Sequence, residues 1–215
     1  YSGGELNSVI KDPEKVDIRY AFCFPDTYEI GMSHLGMKIL YGLVNERDDA
    51  WCERVFAPAL DMEELMRKNN IPLFALESGD YIKNFDLIGF TLQYELSYTN
   101  ILNMLDLAGV PLFSKDRTEL APLVCVGGPC ACNPEPIADF CDLVFLGDGE
   151  ESTNQVLDLL KECKHAGKSK QYFLSKAKDI RGVYVPSFYV DSYNNDGTLK
   201  ELKPINGAPE KVKKA

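Results

Sequence analysis

The 215-residue sequence predicts an α/β fold, a doubly wound parallel five-stranded sheet with a C-terminal β-hairpin extension. Three observations carry that expectation. Short apolar runs alternate with segments whose apolar residues recur at helical spacing, as in parallel strands joined by crossover helices. The run Asp86 to Leu92 reads as a continuous apolar strand, the mark of a strand covered on both faces. Two further runs, Leu123 to Val126 and Asp142 to Leu146, stop at the glycine turns Gly127-Gly128-Pro129 and Gly147-Asp148-Gly149-Glu150.

The elements follow in order. Ile18 to Phe24 reads as a buried strand, and Leu35, Ile39, Leu40, Leu43 and Val44 set a helix over Met32 to Asn45. Trp51 to Phe56 is a second strand, and Asp61 is a plausible N-cap for a helix carrying Met62, Leu65 and Met66. Leu73 to Leu76 suits a short edge piece. After the Asp86 strand, Ile101, Leu102, Leu105 and Ala108 predict a helix over Ser97 to Ala108 that Gly109 stops. A helical turn over Pro136 to Phe140 separates the last two strands, and a helix over Glu151 to Cys163 follows. Residues 1–165 form the expected α/β unit. Residues 166–215 read as a helical connector (Gln171 to Lys178), a hairpin turning at Asn194-Asn195-Asp196-Gly197, and a linker.

Hydrophobic residues make up 45% and charged residues 26%, the balance of a globular chain. A formal net charge of −10 argues against general binding to nucleic acid or anionic membrane, both of which need a basic surface. No apolar run is long enough to cross a bilayer and YSGGELNSVI lacks a signal-peptide layout, so cytoplasm is the expected compartment. The seven cysteines are an odd count, several in apolar runs, which favours reduced thiols. A tyrosine at position 1 and the linker-like NGAPEKVKKA point to a piece of a longer polypeptide.

In open α/β sheets ligands bind outside the carboxyl ends of the strands, and in flavodoxin-like domains at the first βα loop. Here that loop carries Asp26, Tyr28, Glu29, Gly31 and Ser33, which either touch a ligand or cap helices along a long connection. His34 at the helix start is more often a cap or packing residue than a metal ligand. The third strand end adds Thr91, Gln93 and Tyr94; the fourth, Gly127, Gly128 and Pro129; the fifth, Gly147, Gly149 and Glu150. Glu150 and Glu151 are also accounted for by a helix dipole. Cys130, Cys132 and Cys141 do not have zinc-site spacing. No catalytic or metal residue is assigned.

The stretches FPDTYEIGMSHLG, DLIGFTLQYELSYTN, VCVGGPCACNPEPIADF and DLVFLGDGEES resemble the cobalamin-binding-type N-terminal domains that precede a radical S-adenosylmethionine (SAM) barrel, from about residue 3 to residue 203. PDTYEIGMSHLG, ERVFAPALDME and FTLQYELSYTNIL resemble, more narrowly, an uncharacterised bacterial radical SAM subfamily. The resemblance implies that catalysis, the [4Fe-4S] cluster and SAM belong to a downstream barrel, the expected partner, and that a C-x3-C-x2-C run lies beyond Ala215. These 215 residues contain no such run. Classical cobalamin domains carry D-x-H-x-x-G, whose histidine ligates cobalt; the matching register here is Asp26-x-Tyr28-x-x-Gly31. Two cobalamin alternatives stand: the cofactor held without that ligand, or a pocket that has lost it. A cofactor-free docking module and a flavin or nucleotide binder are the other readings.

Overall fold

The computed structural model describes residues 4–215; residues 1–3 of the expected 1–165 unit lie outside the described residues. Five parallel strands, β1 (Ile18–Phe24), β2 (Ala50–Phe56), β3 (Leu87–Thr91), β4 (Leu123–Gly127) and β5 (Leu143–Phe145), form one sheet in the order β2-β1-β3-β4-β5. The expected five strands become six, because β6 (Val183–Tyr184) adds antiparallel to β5. Pro186 explains the difference: it cannot donate to a ladder, so it divides the apolar run GVYVPSFYV. The first half of that run extends the sheet, and the second begins a separate antiparallel hairpin of β7 (Tyr189–Tyr193) and β8 (Leu199–Pro204).

The helices are α1 (Tyr28–Gly31), α2 (Leu35–Asn45), α3 (Leu60–Asn69), α4 (Tyr98–Ala108), α5 (Gly149–His165) and α6 (Lys170–Ala177). Strand side chains alternate between faces. Tyr20, Phe22, Phe24, Cys125, Leu143 and Phe145 point to the layer of α2, α5 and α6. Ala21, Cys23, Ile88, Phe90, Val124 and Val144 point to α3 and α4. Both faces are therefore dry, which is why the strands read as unbroken apolar runs rather than alternating ones. The expected helix from Met32 begins only at Leu35, because His34 is extended (ψ 115°) and caps α2, leaving α1 as a separate turn. Ala59, not Asp61, is the N-cap of α3; Asp61 sits in its first turn, where a carboxylate suits the positive helix end. Leu73 to Leu76 contributes a single bridge, Phe74 with Tyr81. Gly109 ends α4 in the left-handed conformation (φ 70°), as its position in the sequence suggests.

The amino-terminal edge of the sheet is tied by charge. Asp142, at the foot of β5, accepts from Ser114 Oγ, from Arg117 Nη2 (3.0 Å) and from the Val124 amide (2.7 Å), and pairs with Lys170. At the β2 edge, Asp49 holds Arg47 (2.9 Å) and Lys161 (2.8 Å), stitching α2 and α5 to the start of β2. The hydrogen bond from Arg47, with help from Lys161, lowers the Asp49 carboxyl to about 2. A carboxylate depressed on folding stabilises above its unfolded value near 4 and loses that contribution as pH falls through the folded value. Acid titration of stability should accordingly show a decline between about pH 4 and pH 2 that Asp49→Asn removes, on the order of 1–2 kcal/mol. Identical pH profiles for the two proteins would count against the Asp49 lattice.

The last residues dock beside the β5 and β6 ends of the sheet. Ala215 N donates to Leu146 O (2.9 Å), and Gly182 N donates to Lys213 O (3.0 Å). Among the described residues no helix is long and apolar enough to cross a membrane.

Candidate cofactor cleft

Strand order fixes where a ligand can sit. The chain leaves β1 outward to β2 and returns on the other side as β3, so β1 and β3 flank the switch point of the sheet. On the α4 side that crevice is bridged: Tyr94 Oη donates to Asp26 Oδ2 (2.7 Å), and Asn100 Nδ2 donates to Pro25 O (2.9 Å). On the other side it opens into a cleft of about 320 Å³ between the sheet and the amino-terminal turns of α2 and α5.

Each strand tip supplies part of the wall. From β3 come Thr91 and Gln93, hydrogen-bonded to one another. From β4 come Gly127, Gly128 and Pro129; from β5, Gly147, Gly149 and Glu150. Gly128 has φ 108°, and a Cβ there would lie 2.9 Å from Leu92 O, so β3 and β4 close against one another only with glycine at this corner. Gly147 (φ 101°) faces the cleft, while a Cβ on it would lie 2.5 Å from Ala215 O. Its lack of a side chain thus serves the docked tail, a demand invisible in the local motif.

The first-loop residues go elsewhere. Tyr28 Oη donates to Glu5 Oε1 (2.8 Å), which raises its pKa, and its ring packs edge-on to Phe56. Tyr28 and Glu29 line a smaller apolar cavity of about 70 Å³ beside Arg54, whose guanidinium is already engaged by Glu77 (2.6 Å). Gly31 is buried against Phe56 and Phe24. Ser33 Oγ donates to Ile30 O (2.7 Å). Asp26 and Tyr94 are spent on each other. The 320 Å³ cleft is the better ligand candidate because strand tips and two helix starts converge there, whereas the smaller cavity meets only the β2 side.

Sequence reasoning missed the floor and one wall. Tyr20, Phe22 and Phe145 make the interior aromatic, with the Tyr20 phenol and the Cys125 thiol among the groups at its floor. Burial pushes both groups up, so both are neutral at the cleft floor. The period-two spacing of Tyr20, Phe22 and Phe24 was the available signal. The α2 wall brings His34, Gly36, Ile39 and Leu40. Two carboxylates, Asp148 and Glu150, face the cleft, and among the described residues no lysine or arginine lines it. No group of three or more His, Cys, Asp or Glu side chains able to hold a metal occurs among the described residues.

Fold and cleft together define a doubly wound α/β domain with an aromatic-floored pocket outside its strand ends, carrying two carboxylates on its rim. The family model described as radical SAM proteins, N-terminal, matches residues 36–186, and the chain belongs to that family. It is 28% identical over 176 residues to an uncharacterized protein of Methanocaldococcus jannaschii, covering 80% of this chain and 33% of that protein. The chain thus spans about a third of this curated relative's length. Among solved structures it is similar to TsrM, a radical S-adenosylmethionine methyltransferase from Kitasatospora setae with tryptophan and a SAM analog bound. That match has a TM-score of 0.47 and 12% identity, covering 90% of this chain and 30% of TsrM.

Proposed function

We propose that the chain is the accessory N-terminal domain of a radical SAM enzyme and that its cleft holds a cobalamin-type cofactor. Residues 1–165 carry the cleft, and 166–215 connect it to a catalytic barrel that contributes the [4Fe-4S] cluster and SAM. The observation that carries the reading is the convergence of the β3, β4 and β5 tips on a glycine-walled, aromatic-floored cleft, in a chain of this family.

The residues suit a corrinoid. Its periphery bears neutral amides, which need hydrogen-bonding partners such as Gln93, Asp148 and Glu150 and no cation. Gly127, Gly128 and Gly149 let the backbone approach it, and Tyr20, Phe22 and Phe145 exclude water beneath it. Tyr28, in the register of the missing histidine, is turned to Glu5 outside the cleft, so that register offers cobalt no ligand. When bound, cobalamin supplies a metal centre able to carry an alkyl group. A flavin mononucleotide or a nucleotide suits the site less, since its terminal phosphate dianion would meet Asp148 and Glu150 with no lysine or arginine in the wall, whereas the edge of a corrin ring presents neutral carboxamides.

A second reading, a docking module without cofactor, draws on the exposed Ile30, Leu35 and Leu96 near the same edge (51%, 68% and 86% exposed). Mixing the purified chain with hydroxocobalamin or with FMN, desalting and recording absorbance separates the readings. Retained corrinoid bands are expected. Flavin bands would replace the cofactor, and a colourless protein would leave the docking module.

A further inference from the structure

We propose that His34 is a ligand-binding residue of the cleft, donating a hydrogen bond from Nε2–H to the carbonyl oxygen of a neutral carboxamide on the ligand. This rests on the corrinoid reading of the cleft and names the side chain through which recognition runs.

Three contacts fix the ring. The Met37 amide donates to His34 Nδ1 (3.1 Å), making His34 the N-cap of α2. Phe24 packs on it with ring centroids 5.2 Å apart and a 48° tilt. Gly36 leaves it room, since a Cβ there would come 3.0 Å from Cε1. The capping bond uses the Nδ1 lone pair, so the proton of the neutral imidazole resides on Nε2. That N–H has no partner among the described residues, and the half-buried ring lines the cleft. The same bond rules out metal ligation by His34 in this geometry, because a ligating nitrogen must present a lone pair and Nε2 carries the proton. His34 therefore does not replace the histidine absent from position 28.

The other polar groups complete the specification. Asp148 and Glu150 accept only, Gln93 can both donate and accept, and His34 donates. A ligand matching that set presents N–H groups toward the carboxylates and a C=O toward His34. Primary amides offer both on one group, whereas phosphate offers acceptors alone and would oppose the carboxylates.

The chain has two histidines, His34 and His165, so ¹⁵N-histidine labelling gives two ring systems that His34→Ser assigns. His34 should be protonated on Nε2 in the free chain, and adding hydroxocobalamin should shift that resonance without moving the proton. Serine and asparagine both cap helices and are too short to reach the cleft. His34→Ser and His34→Asn should melt like the parent and bind hydroxocobalamin roughly ten-fold more weakly. A proton on Nδ1, or an unchanged affinity in both variants, overturns the role of His34 while leaving the cleft reading intact. Failure of the parent chain to retain hydroxocobalamin overturns the cleft reading and this proposal with it.

Discussion

Asp142→Ala should lower the unfolding free energy by about 3–5 kcal/mol, the largest effect expected of any single side chain here. Asp142 is 1% exposed, and Arg117 and Lys170 beside it are 5% and 8% exposed. Removing the carboxylate leaves two cations out of water with no countercharge, a cost far above the net worth of an intact ion pair. The Val124 amide loses its acceptor at the same time, since Asp142 Oδ2 takes it at 2.7 Å. The effect should reach the function, because Asp142 locks the feet of β4 and β5 together and thereby holds the register of their glycine tips. Urea denaturation measures it; a loss below about 1 kcal/mol would show that water enters and solvates Arg117 and Lys170. Asp142→Asn, which keeps an oxygen for Val124, should fall between the two proteins.

Gly128→Ala should cost about 2–4 kcal/mol and should also abolish ligand retention. At φ 108° an L side chain is strained before any contact is counted, and the new methyl would lie 2.9 Å from Leu92 O, 3.1 Å from Leu92 N and 3.1 Å from Thr91 Oγ1. Two of those three atoms are backbone, so relief requires β3 and β4 to part. Leu92 N donates to Gly127 O at 2.6 Å, and this is the bond that would stretch first. Thermal unfolding gives the stability loss, and gel filtration with hydroxocobalamin gives the binding loss. An alanine variant with parental melting and parental binding would mean that the corner accepts a side chain.

The sheet was legible in the sequence because parallel strands covered on both faces cannot hide: DLIGFTL admits little else, and Gly109 marks a helix end by its chemistry. The sixth strand was not legible, since two residues before Pro186 form a strand only when the β5 edge is already there to receive them. The walls of the candidate cleft were legible where local motif and long-range position coincide, at Gly127-Gly128-Pro129 and Gly147-Asp148-Gly149-Glu150. It was not legible where a polar loop residue finds a partner remote in sequence. Asp26 looks available until Tyr94, 68 residues on, takes its carboxylate. Tyr28 looks like a cofactor residue until Glu5 accepts its hydrogen bond. The floor escaped for the opposite reason: Tyr20 and Cys125 read as ordinary strand residues, and only the pairing of β1 through β3 to β4 makes them neighbours beneath a cleft.

In the proposed reading, one cofactor spans the tips of β3, β4 and β5 and the start of α2. Hydrogen–deuterium exchange with and without hydroxocobalamin tests it at the peptide level. Protection should appear together at residues 34–40, 91–93, 127–130 and 147–153, with little change at 26–31 or in the hairpin 189–204. Protection centred on 26–31 and 54–62, or none at the three strand tips despite bound corrinoid, would contradict it.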